Sequence, residues 1–338
     1  MLHAARHSAA DSTAFDVIII GAGPIGLACG IEAKRRGFRY LIIEKGCVVN
    51  SIYHYPIYMR FFSTANLLEI GEVPFITHGD KPTRQEALSY YRLVANGLSL
   101  NMRLYEEVVS VKGQDGAFQI ETTRGHYTAR KVIAAIGFSH RPRMLNVPGE
   151  KLDKVSHYFR EPHPYSGQRL LVVGSGNSAV EAALDCFRHG AKVTLVVRGE
   201  NLHEGIKYWI RPDIENRIKK GEIAAYFNTR VLAIKPDSVL LDVPDSGSVE
   251  VPNDFVLALT GYEPNFDLLE QMGVAIGDDE FRTPSHDPQT YETNRAGLYL
   301  AGVVVGGLQS NRWFIENSRI HARYIFDDIE KRRGRRTG

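Results

Sequence analysis

Apolar runs and helix-compatible stretches alternate twice along the chain. In the first half, the apolar run from Val17 to Ile20 leads into "GAGPIG", a helix-compatible stretch follows to Arg36, and a second apolar run, "YLIIEK", comes next. In the second half, "RLLVV" leads into "GSGNSA", and "KVTLVVR" follows the intervening stretch. Alternation of this kind is typical of an α/β fold with a parallel sheet. The sequence therefore predicts two β-α-β units.

Both turns have the glycine spacing of a dinucleotide-binding unit. The first glycine makes the tight turn, the second lets the backbone approach a pyrophosphate, and the third position lets the helix pack closely against the strand. The predicted cofactor-binding residues of the two turns are Gly21, Gly23, Pro24 and Gly26 in the first unit and Gly174, Gly176, Asn177 and Ala179 in the second.

Each unit has a matching element further along the chain. "KVIAAIGFSHRP" and "FVLALTGYEPN" are both apolar strands that run into a glycine, an aromatic residue and a Pro-containing turn. We count their glycines, Gly137 and Gly261, among the predicted cofactor-binding residues. One glycine motif alone is weak evidence, but two copies with matching partners are strong evidence for a duplicated dinucleotide fold.

The residues at the ends of the second strands differ between the two units. Glu44 ends the first of these strands, where a carboxylate accepts hydrogen bonds from both hydroxyls of a ribose. Arg198 ends the other, where a guanidinium suits a 2′-phosphate that a carboxylate would repel. The first unit is therefore predicted to bind a dinucleotide with a free ribose, and the second to bind NADPH.

Two irregular segments indicate where the chain passes between the units. "NVPGEKLDKVS" has the composition of a crossover, and the chain is expected to return near "DDEFRTPSHDP". We predict two Rossmann-like domains, with residues 153–286 forming an NADPH domain inserted into a discontinuous domain of residues 15–152 and 287–330. Residues 1–14 are expected to be a disordered tail, and residues 331–338 a basic tail.

Composition excludes several classes of function. The 338 residues carry 41 basic and 39 acidic side chains, a net charge of +2 that indicates no nucleic-acid or membrane surface. No segment approaches the roughly 18 to 20 apolar residues that span a bilayer, and the first residues lack a secretory signal. Cys29, Cys47 and Cys186 are too scattered for a disulfide framework or a metal site. We therefore expect a cytoplasmic protein.

The whole pattern resembles the thioredoxin-reductase-like flavoproteins, with FAD in the first fold and NADPH in the second. "EKGCVVNSIYHYP", "FFSTANLLEIGEVPFI", "HYFREPHPY" and "YETNRAGLYLAGV" resemble the bacillithiol-disulfide reductase family in particular, from about Phe15 to about Ile329. This resemblance implies hydride transfer from NADPH to FAD and then reduction of a small disulfide or another diffusible acceptor. It also implies a homo-oligomer.

Two positions hold residues that differ from those typical of the families that the sequence resembles. Ile25 stands in the first glycine turn where the bacillithiol family typically has a cysteine, and no Cys-x-x-Cys pair precedes the second turn. Val303 follows Gly302 where the wider superfamily has an aspartate that binds the ribityl chain of FAD. We still expect Gly302 and Val303 to lie at the cofactor. Cys29, one helical turn after Ile25, is expected to be a buried apolar residue.

Several groups could assist reduction of the acceptor. The segment from Ser51 to Thr64 is rich in Tyr and Phe, which can cover a flavin and exclude water. His54, Tyr55 and His157 are the candidates for protonating a reduced product. A helix that begins near Gln309 to Trp313, after a Gly-Gly turn, is expected to direct backbone N–H groups at the flavin.

Two other functions fit parts of the pattern. The region around His157 resembles the F-x-G-x-x-x-H segment of flavin-dependent monooxygenases, although Leu152, Asp153 and Lys154 stand where Phe-x-Gly is expected. A reductase for a protein acceptor such as a ferredoxin is the second alternative. A long-lived oxygenated flavin would favour the first alternative, and the balanced charge counts against the second.

Overall fold

The computed structural model describes residues 14–139, 141–309 and 311–335. The predicted N-terminal tail lies outside these ranges except for its last residue. Among the described residues, no helix combines the length and apolar character that membrane crossing requires.

The described helices and strands follow one another in the alternation that the sequence predicts. Up to residue 139 they are β1 (Phe15–Ile20), α1 (Pro24–Arg35), β2 (Tyr40–Glu44), α2 (Asn50–Tyr53), α3 (Arg84–Gly97), β3 (Met102–Leu104), β4 (Val108–Gln114), β5 (Ala117–Thr122) and β6 (His126–Ala134). The next group is β7 (Arg141–Pro142), β8 (Val155–Ser156), β9 (Arg169–Val173), α4 (Asn177–Arg188), β10 (Lys192–Val196), α5 (Arg211–Lys219), β11 (Ala224–Tyr226), β12 (Arg230–Ile234), β13 (Ser238–Val243), β14 (Gly247–Pro252), β15 (Phe255–Ala258) and β16 (Tyr262–Glu263). The last group is α6 (Phe266–Gln271), β17 (Leu298–Leu300), α7 (Ile315–Ser318) and α8 (His321–Arg335).

The first sheet contains seven of these described strands, in the order β3-β2-β1-β6-β5-β4, with β17 also beside β6. β1 is parallel to β2 and β6, whereas β4 and β5 form an antiparallel extension of β6. All five residues of β2 are buried, as expected for a parallel strand covered on both faces. The strand order reverses between β1 and β6, which makes that point the switch point of the sheet.

The second sheet repeats this arrangement. Its described strands follow the order β11-β10-β9-β15-β8 and are all parallel, so that its switch point lies between β9 and β15. A separate antiparallel sheet, β12-β13-β14, packs with Leu171, Val173 and Val256 of this half in one core cluster. The predicted α/β class with two Rossmann-like units matches both parallel sheets.

The two halves are joined by a short antiparallel ribbon. In it, β7 pairs with β16, and Arg141 Nε lies 2.6 Å from the Glu263 carboxylate. Leu145 and Leu152 already pack on the core of the second half, and Phe266 and Met272 already pack in the core of the first. The chain therefore enters the core of the second half before residue 152 and returns to the core of the first half before residue 286, the two predicted boundaries.

The C-terminal segment returns to the first sheet. β17 pairs with β6, and α8 packs along α1, where Arg36 Nη1 lies 2.8 Å from both Asp327 and Glu330 carboxylates. Residues 331–335 continue α8, and Arg332 pairs with Glu292 at 2.5 Å. This part of the predicted basic tail is therefore helical, because it is tied to the body of the first half, and residues 336–338 lie outside the described ranges.

Candidate functional site

The first glycine turn leaves an open cradle at the start of α1. Gly21 has φ of +105°, and a Cβ there would lie 2.5 Å from the Ala135 carbonyl oxygen. A Cβ on Gly26 would overlap the carbonyl oxygen of Gly21. Gly23 instead has no atom within 4 Å of its Cβ position and caps α1, which begins at Pro24. The open space beside these N-terminal N–H groups fits a pyrophosphate.

The second glycine turn has the same construction. Gly174 has φ of +144°, and a Cβ there would lie 2.5 Å from the Leu259 carbonyl oxygen and 2.9 Å from the Ala179 Cβ. Gly176 has no atom within 4 Å of its Cβ position and is the N-cap of α4. The small side chain of Ala179 allows the helix to approach the strand this closely. This turn therefore fits a second pyrophosphate.

Asn177, at the start of α4, holds a loop over the second turn. Its Nδ2 donates to the Gly205 carbonyl oxygen at 2.9 Å, and its Oδ1 accepts from the Lys207 N–H at 2.8 Å. The His203 N–H donates to the Ser175 carbonyl oxygen at 3.0 Å. The Asn177 amide, predicted to contact a cofactor, thus organises the protein loop that covers the turn.

Gly137 and Gly261 lie at the two switch points, and their neighbours bring the two crevices together. The two glycines have φ of +70° and +98° and follow β6 and β15. The next residues, Phe138 and Tyr262, have ring centroids 6.4 Å apart in an edge-on contact. Because ligands of open α/β sheets bind at switch points, the two binding crevices converge here.

The two strand-end residues are placed differently. Glu44 is buried, and its carboxylate accepts the Ala22 N–H at 2.8 Å and the Gly46 N–H at 2.9 Å. A carboxylate has about four acceptor sites, so these two bonds fix its orientation and leave capacity for ribose hydroxyls. Arg198 is exposed just beyond β10, with no ion-pair partner among the described side chains.

Gly302 connects the end of β17 with the first turn. It has φ of +88°, and its Cβ position lies 3.2 Å from Ile25 Cγ1. Its N–H donates to His321 Nδ1 at 3.2 Å, and the other ring nitrogen, Nε2, is buried without a hydrogen-bond partner in the described structure. Burial lowers the pKa of His321 to about 3, so its ring is neutral. Val303 is half-buried and begins the 3-10 turn that follows.

The helix expected near Gln309 to Trp313 begins later in the chain. α7 begins at Ile315, and the Phe314 N–H donates to the Asn317 side chain at 2.7 Å as its cap. The helix thus begins two residues after the predicted range, because the described residues 311–314 are not helical.

The aromatic segment supplies two of the three predicted proton donors. His54 is exposed, and its Nδ1 lies 2.8 Å from the Asn50 carbonyl oxygen. Tyr55 is half-buried next to Phe61, with ring centroids 6.3 Å apart, and its hydroxyl has no hydrogen-bond partner within the described ranges. Burial raises the pKa of Tyr55, so its hydroxyl keeps its proton near neutral pH.

His157 lies at the junction of the two halves. Its Nε2 is 3.5 Å from the Glu150 carboxylate, and neither ring nitrogen has a hydrogen-bond partner in the described structure. The Tyr262 hydroxyl donates to the His157 carbonyl oxygen at 3.2 Å, and the Tyr158 ring stacks on Tyr262 with centroids 5.6 Å apart. Burial raises the pKa of Tyr262 to about 12, with a further contribution from nearby Tyr55. The structure thus places His157 at this junction, packs Tyr55 against Phe61 in the aromatic segment, and leaves His54 facing solvent.

None of the three cysteines is placed as a reactive thiolate. Cys29 is fully buried, and burial together with the charge of Glu32 raises its pKa well above the ordinary value. Burial raises the pKa of Cys186 to about 12. Cys47 is half-buried, and its pKa is also raised, mainly by burial. A thiol acts as a nucleophile only as its thiolate, so none of these residues suits disulfide exchange near neutral pH.

Sequence reasoning missed Arg143. Its backbone N–H donates to the Gly261 carbonyl oxygen at 3.0 Å, and its Nη2 donates to the Leu308 carbonyl oxygen at 2.7 Å. Its Nε is buried without a partner in the described structure. The guanidinium therefore lies between the two crevices. The only signal in the sequence is its position just after "GFSHRP".

Residues 18–302 match the family model of the pyridine nucleotide-disulphide oxidoreductases. This match spans most of the chain, so the protein belongs to that family. Its members are flavin-dependent oxidoreductases that use FAD and NAD(P)H, which confirms the predicted enzyme class and cofactors.

Within this family, the chain is 43% identical over 316 residues to bacilliredoxin reductase Bdr of Bacillus subtilis, a match that covers 93% of this chain and 97% of that protein. The solved bacillithiol disulfide reductase Bdr (YpdA) of Bacillus cereus has a TM-score of 0.92 at 41% identity and covers 95% of this chain and 100% of its own. The Staphylococcus aureus structure of the same name has a TM-score of 0.91 at 41% identity, covering 94% and 98%. The predicted fold and family resemblance are confirmed.

Proposed function

We propose that this protein is an NADPH-dependent FAD enzyme that reduces a small disulfide directly at the flavin, without an enzyme thiol. The observation that carries this proposal is the junction itself. Two dinucleotide crevices converge at Phe138 and Tyr262, whereas all three cysteines are buried or have raised pKa values. The electrons therefore pass from the flavin to the acceptor with no cysteine relay.

The cofactor roles follow from the two turns. The first turn and the oriented Glu44 carboxylate suit FAD, whose adenosine ribose is unphosphorylated. The second turn and the exposed Arg198 suit NADPH, whose 2′-phosphate needs a cation. Gly302, which precedes Val303, lies against Ile25 of the first turn, so the FAD ribityl chain is held there by backbone groups or another side chain rather than by an aspartate.

The acceptor needs two electrons and two protons. Oxidation of NADPH supplies a hydride, solvent supplies one more proton, and cleavage of the S–S bond yields two thiols. His54, Tyr55 and His157 are the proposed proton donors to the departing thiolate: His54 is exposed, Tyr55 keeps its proton near neutral pH, and the His157 ring nitrogens are buried near Glu150. The names of the relatives indicate bacillithiol disulfide as the acceptor, and bacilliredoxin as a protein alternative.

The test is anaerobic NADPH oxidation by the purified enzyme with bacillithiol disulfide, glutathione disulfide, cystine and oxidised bacilliredoxin. Cys29→Ala is compared with Cys186→Ala, a matched removal of a buried thiol. Turnover of a small disulfide by both variants supports the proposal. Turnover lost only in Cys29→Ala refutes the direct route. No turnover with any disulfide refutes the proposal, and a long-lived oxygenated flavin, seen when the reduced enzyme is then mixed with oxygen, identifies a monooxygenase instead.

We also propose the organisation of the whole molecule. The chain passes from one core to the other at the β7–β16 ribbon, so the FAD domain comprises residues from 15 to about 140 and from about 264 to 335, with the NADPH domain between them. A homo-oligomer and a cytoplasmic location remain predictions, the first from the family resemblance and the second from the few scattered cysteines. Gel filtration with light scattering measures the oligomeric state.

A further inference from the structure

The β7–β16 ribbon alone is a narrow connection between the two halves. Each strand contributes only two residues, and a pair of such short strands does little to restrain the angle between the sheets. Hydride transfer needs the reacting atoms held close and aligned. A second attachment between the halves would fix that angle, and the structure contains one, on the aromatic segment.

The first part of this attachment is a buried amine. Lys207, in the loop over the second glycine turn, is 6% exposed. Its Nζ lies 2.5 Å from the Glu181 carboxylate of α4 and donates to the carbonyl oxygen of Arg60 at 2.8 Å. Arg60 belongs to the first half, so this ammonium group bridges the two halves. Breaking a buried pair by removing one partner is costly, because it leaves an uncompensated charge.

The second part is an aromatic contact beside that amine. Phe62 of the first half stacks on Trp209 of the second, with ring centroids 5.7 Å apart and planes inclined by 22°. The Lys81 ammonium lies 4.7 Å from the Trp209 ring and 5.0 Å from the Phe62 ring and donates to the Phe62 carbonyl oxygen. Stacking and cation–π contacts together join the halves at one place.

A backbone hydrogen bond and the Asn177 loop extend the attachment in both directions. The Ile57 N–H donates to the Arg160 carbonyl oxygen at 2.9 Å, which continues the contact toward Tyr158 at the junction. The Asn177 amide holds the Lys207 backbone over the second turn. The loop over the second glycine turn is thus connected to the aromatic segment through Lys207.

We infer that six residues form an interdomain latch in which Lys207 is the main positioning residue. They are Arg60, Phe62 and Lys81 of the first half and Glu181, Lys207 and Trp209 of the second. The latch holds the halves in the arrangement in which both crevices meet at Phe138 and Tyr262, and it thereby aligns NADPH with FAD. This inference rests on the proposed function only in its first step, transfer from NADPH to the flavin.

The experiment measures that step alone, by anaerobic stopped-flow reduction of the bound flavin at saturating NADPH. Lys207→Met and Phe62→Ala are compared with Lys192→Met and Leu93→Ala, which alter exposed residues outside the latch. We expect the latch variants to lower the reduction rate at least tenfold while the dissociation constant for NADPH changes less than threefold. Lys207→Arg is expected to restore at least half of the rate.

A second readout separates alignment from simple destabilisation. Adding NADP⁺ to the reduced enzyme gives a long-wavelength charge-transfer absorbance only where the two rings stack, so the latch variants are expected to lose it. Reduction rates within twofold of wild type in both latch variants would overturn the inference. The inference would also be overturned if the reduction rates of the variants fell only in proportion to their melting temperatures and Lys207→Arg did not restore the rate. A protein that reduces its flavin normally but no disulfide contradicts the proposed function and leaves the latch intact.

Discussion

Replacement of Arg198 by Gln tests the assignment of the second crevice to NADPH. The side chain is exposed just beyond β10 with no described ion-pair partner, so the substitution leaves no stranded carboxylate behind. We therefore expect the substitution to weaken the binding only of a ligand that places a phosphate beside this side chain. A hydrogen bond to a charged group contributes about 1.5 to 3 kcal/mol, and solvent screening at an exposed site favours the lower end. A loss of about 1.5 kcal/mol corresponds to about a 12-fold drop.

The assay is kcat/KM for NADPH and for NADH in reduction of the flavin. Arg198→Gln is expected to lower the value for NADPH about 12-fold and to change the value for NADH less than twofold, since NADH has no 2′-phosphate. Arg198→Lys keeps the charge and is expected to retain much of the preference. An equal decline with both dinucleotides, or an unchanged ratio, would refute the assignment.

Three further predictions follow from burial and close contacts. Cys29→Ala is expected to keep disulfide turnover within twofold of wild type while lowering the melting temperature, because it removes a fully buried sulfur atom; turnover and melting curves decide this. Gly26→Ala is expected to yield protein without bound flavin, since the added Cβ overlaps the Gly21 carbonyl oxygen; a normal flavin absorbance would contradict it. Hydrogen bonds from the Thr83 backbone and other groups lower the pKa of Glu86 to about 2. The stabilisation from Glu86 is therefore present above its usual pKa of 4.5 and is lost as the pH falls toward 2, so the melting difference from Glu86→Gln should shrink over that range.

Particular residues show where sequence reasoning reached its limit. The sequence predicts the crossing points at irregular, polar segments, but the chain passes from one core to the other at the ribbon, close to which Phe266 and Leu145 already pack on opposite halves. A loop's composition does not reveal which core its neighbours join. Asn177 illustrates the same limit, because its position in the glycine motif says nothing of the loop that its amide holds. Lys207 and Trp209 carried no local signal, since their partners lie far away in the chain.

The sequence by itself determined the two dinucleotide units, the family and the cofactors. Those properties depend on short-range patterns: apolar runs, glycine spacing, and the residues at strand ends, whose backbone demands are local. Only the tertiary structure decided that the two crevices meet at Phe138 and Tyr262 and that Lys207 bridges the halves. These features depend on contacts between residues distant in sequence, which arise only when both sheets have packed.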